Sequence, residues 1–60
     1  MEIVSVQSKA DQVIWIKQVA DEDFLIEVRR ILPDGTLRTT MTQHVGFKKE
    51  ALRRVRAWIE

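Results

Sequence analysis

Phe24-Leu25-Ile26-Glu27-Val28-Arg29-Arg30-Ile31-Leu32-Pro33-Asp34-Gly35-Thr36-Leu37 decides the fold. Phe24, Ile26 and Val28 recur with period two, which is the pattern of a strand with one buried face. Pro33-Asp34-Gly35 then stops it. Gly35 admits positive φ, and proline cannot sit in a central strand. Leu37 to His44 follows as the returning strand. Before this hairpin, Gln12 to Val19 is rich in β-branched and aromatic residues, and Glu2 to Ser8 alternates Val4 and Val6 with polar neighbours. After it the period becomes helical: Phe47, Ala51, Leu52, Val55, Trp58 and Ile59 form one apolar stripe.

The expected fold is therefore α+β, in one domain spanning residues 1–60. It is a four-stranded antiparallel meander (strands about 2–8, 12–19, 24–32 and 37–44) followed by one C-terminal amphipathic helix (about 47–59) packed on one sheet face. A register slip of one residue moves a whole strand to the other face, so the apolar pattern selects the pairing. An Asp34-Gly35 two-residue turn, or a four-residue loop, pairs Leu32 with Leu37. It sets Leu37, Met41 and Val45 beside Phe24, Ile26, Val28 and Leu32. A three-residue loop would pair Leu32 with Thr36 and put threonines and His44 beside that face. The first register is expected, with Ile14 and Ile16 joining the core and Trp15, Lys17, Glu27, Arg29, Arg38, Thr40 and Thr42 sharing the opposite face.

Sixty residues carry at most one core, because a chain of this size buries only roughly 60% of the surface its unfolded form exposes. There is no cysteine, which excludes disulfides and thiolate metal sites. The apolar runs fall far short of the ~20 residues that span a bilayer, and no secretory signal is visible, so the expected location is cytoplasmic. The net charge of +1 conceals an uneven distribution: Met1 to Val45 holds five Lys/Arg against seven Asp/Glu, and Gly46 to Glu60 five against two. The helix is the basic part.

Catalysis needs a nucleophile with a base, paired carboxylates or a metal cluster, and one histidine without a sequence-placed carboxylate partner does not supply them. His44 reads as a surface or capping residue. Asp21-Glu22-Asp23 lacks the spacing and glycine of a calcium loop and reads as a solvated turn. No enzyme activity, cofactor, metal site or small-molecule substrate is expected. Two features remain. Lys48, Lys49, Arg53 and Arg56 lie off the apolar stripe of the helix, where cations contact phosphates without reading sequence. Trp15 beside Lys17, Arg29 and Arg38 combines a stacking plane with cations, as single-stranded nucleic-acid platforms do. The competing assignments make the lysines and arginines ordinary surface residues and place Trp15 in the core or in a dimer interface.

The segment Ile14 to Leu37, with Trp15-Ile16-Lys17, Phe24-Leu25-Ile26-Glu27-Val28-Arg29 and Pro33-Asp34-Gly35, resembles the central hairpin of the positive-cofactor-four coactivators. Those proteins run four strands and then a helix, dimerise through the helix and bind single-stranded DNA across the sheets. The resemblance implies a binding role for Lys17, Arg29 and Arg38. The family's lysine-glycine motif before the helix is replaced by Gln43-His44-Val45-Gly46. Phe24 to Ile59, especially Val28-Arg29-Arg30, Asp34-Gly35 and Gly46-Phe47-Lys48-Lys49-Glu50-Ala51, is also similar to the arm-binding domains of phage integrases, which insert a three-stranded sheet into the DNA major groove. On that likeness Met1 to Ala20 is an additional unit. The leading expectation is a small non-enzymatic nucleic-acid-binding protein acting as a homodimer. The alternative is a protein-interaction module, of phage or plasmid accessory type, that uses strand edges or the open sheet face.

Overall fold

The computed structural model describes residues 1–60. Four strands, β1 (Glu2–Lys9), β2 (Gln12–Ala20), β3 (Asp23–Ile31) and β4 (Leu37–Val45), precede one helix, α1 (Lys48–Ile59). The strands form one antiparallel sheet in the order β1-β2-β3-β4, so the chain is an α+β meander closed by a helix. No helix is long and apolar enough to cross a membrane.

Alternation in the two central strands sets the core. Ile14 pairs with Val28, and Ile16 with Ile26, so their side chains share a face. That face also carries Phe24, and all five are buried. Ala51 and Val55 of α1 close over them, with Val45, and Val4, Leu52 and Ile59 pack at the margin. Val4 reaches this face through a bulge in β1 between Ile3 and Ser5. At the far end of α1, Lys9 Nζ donates to the Trp58 carbonyl oxygen at 3.3 Å, which places a cation at the negative end of the helix dipole. Trp58 itself is only partly covered, although its helical spacing placed it in the core.

The β3–β4 hairpin departs from the expected register at one end. Phe24 pairs with Val45 and Val28 with Met41, as the apolar pattern predicts. Next to the turn, however, Ile31 rather than Leu32 pairs with Leu37. The loop is the three-residue Pro33-Asp34-Gly35, in which Leu32 N–H donates to Thr36 O at 2.8 Å and Gly35 N–H to Leu32 O at 2.9 Å. Gly35 adopts φ 87°, as such loops require after a tight turn. Asp34 reinforces it by accepting from the backbone N–H and the hydroxyl of Thr36. One extra β4 residue between the partners of Arg29 and Val28 restores the expected register. The bulge absorbs the conflict between turn chemistry and core pattern. Its consequence is that Leu37, expected in the core, lies on the open face, and Arg38, expected there, pairs with Arg30 on the helix side.

The first turn is strained where the third is relaxed. Ala10 sits at φ 53°, a region that costs an L-residue roughly 1 kcal/mol or more and glycine little. Urea unfolding of Ala10→Gly is expected to show a gain of about 0.5–1 kcal/mol, and Gly35→Ala a loss of about 1 kcal/mol. A Cβ at Gly35 meets nothing within 4 Å, so that loss isolates the backbone term.

Candidate nucleic-acid interface

Two groups of candidate residues lie on opposite sides of the molecule. On the open sheet face, Trp15 pairs across to Glu27, Lys17 lies two residues further along β2, and Arg29 pairs with Val13, two residues back. Lys17 and Arg29 therefore flank the indole from opposite ends. Their charged groups stand 5.5 and 5.6 Å from the ring centroid, within cation–π range. Glu27 Oε1 accepts from both, from Lys17 at 3.4 Å and from the Arg29 guanidinium. The Lys17 and Glu27 side chains are only 15% and 12% exposed, so this is a half-sunk ion triad rather than a free cationic patch. The Trp15 indole N–H is buried without an acceptor.

The structure thus brings together Trp15, Lys17 and Arg29, three of the four candidate sheet residues, and separates Arg38 from them through the β4 bulge. Glu27 was legible on this face from its period, but its part in neutralising both cations depends on the diagonal placement that pairing creates. His44 gains a carboxylate partner: its Nδ1 lies 2.8 Å from Asp23 Oδ1, at the other end of β4. No group of three or more His, Asp or Glu side chains comes together to hold a metal ion.

On the helix, Lys49, Arg53 and Arg56 stand at i, i+4 and i+7 on the side opposite Ala51 and Val55, and all three are exposed, as is Lys48. Glu50 takes hydrogen bonds from Arg53 and from Arg54, the latter at 3.0 Å. The Arg53 guanidinium, followed by that of Arg54, holds the Glu50 carboxyl below its ordinary value, and Glu50 in turn raises Arg53. Lys48, Lys49 and Arg56 have no carboxylate within ion-pair distance.

Within the helix segment, Phe47 departs furthest from its expected place. It was expected to open the apolar stripe, but it is the N-cap of α1, with φ −129° and ψ 136°. An extended cap turns the side chain off the helical wheel, and Phe47 is 73% exposed. It lines a shallow groove of about 290 Å³ with Lys49, Glu50 and Arg53. A neighbouring groove of about 340 Å³ shares Lys49 and Arg53 and adds Leu52 and Arg56. The two form a strip with an aromatic ring at one end and cations along it.

No family model, curated protein or solved structure matches this chain.

Two carboxyls give the fold an acid-sensitive component. Asp34 is lowered from 3.8, first by the Thr36 hydroxyl and then by the Thr36 backbone N–H, and Glu50 is lowered from 4.5. A carboxyl whose folded pKa is depressed stabilises the fold above its unfolded value and loses that contribution as pH falls through the folded one. The urea midpoint is expected to fall as pH drops below 4.5. The Asp34→Asn, Glu50→Gln double variant should show a shallower fall over the same range.

Proposed function

We propose that this protein is a non-enzymatic binder of single-stranded nucleic acid and that the contact surface is the outer side of α1 together with Phe47. The reading rests chiefly on Phe47. A helix N-cap is normally Ser, Thr, Asp or Asn, whose side chain accepts an orphan backbone N–H, and an aromatic there leaves about 1 kcal/mol of stability unused. Phe47 makes no capping hydrogen bond and buries little of its ring. Poor local fit combined with exposure beside Lys49 and Arg53 is the pattern of a residue held for binding rather than folding.

The chemistry is consistent with that role. A base stacked on an exposed aromatic contributes about 1–3 kcal/mol without sequence preference, and phosphates running along Lys49, Arg53 and Arg56 release counterions. Lys48 and Lys49 occupy the first helical turn, where the dipole disfavours cations, so a bound polyanion relieves an unfavourable placement. The sheet cluster is a poorer platform. Trp15 already carries a cation at each end, and both cations are committed to Glu27.

Phe47→Ser separates binding from stability. It is expected to raise urea stability by about 0.5–1 kcal/mol while weakening a fluorescent single-stranded oligonucleotide by about 1–3 kcal/mol. Lys49→Ala and Arg56→Ala should each reduce the slope of log affinity against log salt by about 0.7, whereas Lys17→Ala should leave it unchanged. An unaltered affinity for Phe47→Ser, or a larger loss for Lys17→Ala than for Lys49→Ala, overturns the assignment.

A further inference from the structure

The strip along the outer side of α1 holds one group that phosphate binding does not use. Glu50 is its only carboxylate, and it lines the groove beside Phe47 together with Lys49 and Arg53. An anion in the middle of a row of cations weakens the hold on every phosphate chain alike. Glu50 also leaves a local task undone. As the third residue of α1, a glutamate can turn back and accept from the N-cap backbone N–H. Glu50 is engaged along the helix instead, with Oε2 accepting from Arg53 and Oε1 from Arg54 at 3.0 Å. One guanidinium on each oxygen fixes the carboxylate and leaves each oxygen with lone-pair capacity to spare. Its side chain is 27% exposed, so that capacity is open to a ligand in the groove. The same guanidiniums hold Glu50 ionised, which makes it an acceptor and never a donor.

Resting on the reading of this strip as a single-strand surface, we infer that Glu50 contacts the edge of the base stacked on Phe47 and selects guanine. A base lying on an exposed ring presents its hydrogen-bonding edge to the groups that flank the ring, and in this groove the flanking acceptor is Glu50. Guanine carries two adjacent donors on its Watson–Crick edge, N1–H and the 2-amino group, at the spacing of the two carboxylate oxygens. Both oxygens are then filled in one charge-assisted, bidentate pair. Adenine and cytosine each offer one amino donor beside a ring-nitrogen acceptor, and that acceptor meets the second oxygen. Thymine and uracil set N3–H between two carbonyl oxygens, which the carboxylate repels. An anion that hinders all sequences alike thus favours one base over the rest.

Fluorescence anisotropy of the whole chain with end-labelled thymine tracts of about ten nucleotides tests this, the central base being thymine, guanine, adenine, cytosine or hypoxanthine. The guanine tract is expected to bind about tenfold tighter than the all-thymine tract, with adenine and cytosine close to thymine. Hypoxanthine, which lacks the 2-amino group, should fall between guanine and thymine. Glu50→Ala should abolish the guanine advantage and bind the all-thymine tract at least as tightly as the wild type does, since an anion has left the strip. The advantage is a ratio of affinities measured on one preparation, so a smaller folded fraction in the variant cancels. Equal affinity for all five tracts, with binding still dependent on Phe47 and Lys49, overturns the base contact and leaves the single-strand surface standing. No binding to any tract at low salt overturns that surface and the base contact with it. A guanine advantage that survives Glu50→Ala overturns the role of Glu50, and hypoxanthine binding as tightly as guanine overturns the two-donor pairing.

Discussion

One constraint governs this molecule: a single helix of twelve residues, about 18 Å long, is the only cover for a four-stranded sheet. It can shield one face, over β2, β3 and the end of β4. Ile14, Ile16, Phe24, Ile26 and Val28 take that face, and everything one residue out of phase goes to the other. Trp15, Lys17, Glu27 and Arg29 lie opposite the helix for the same reason that the core residues lie beneath it. With only eight side chains buried, the remaining organisation comes from turns, ion pairs and bulges.

The open face is managed by mutual neutralisation. Two cations and a tryptophan on an uncovered sheet would be an inviting anion platform, but Glu27 opposite Trp15 draws both cations onto the ring. Along its outer side the helix is neutralised only in part. Glu50 engages Arg53, in the middle of the outward row, and Arg54 on its flank, and leaves Lys49 and Arg56 unpaired. Five Lys/Arg on each side of residue 45 therefore differ in availability, and charge counting alone does not distinguish them.

Much of this was legible in the residues. The period of Phe24, Ile26 and Val28, the apolar votes of Met41 and Val45, and the helical spacing of Ala51, Leu52, Val55 and Ile59 specify the meander, most of its register and the helix. What escaped follows from two local effects. Pro33-Asp34-Gly35 favours a three-residue loop, and the core favours another register. A bulge among threonines reconciles them with no strong sequence mark of its own, carrying Leu37 and Arg38 to the unexpected faces. Phe47 has the spacing of a core residue, but helical periodicity ends at the cap, where extended backbone redirects the side chain. The availability of each cation was likewise hidden, since it depends on which carboxylate the fold sets beside it.

The division between a sealed sheet face and an available helix face is the centre of this account. Titrating the ¹⁵N-labelled protein with a short single-stranded oligonucleotide and following amide and indole resonances tests it directly. Shifts concentrated at Phe47, Lys49, Arg53 and Arg56, with the Trp15 indole signal unmoved, are the predicted result. Displacement of the Trp15 indole together with the amides of Lys17 and Arg29, while Phe47 stays in place, would contradict it.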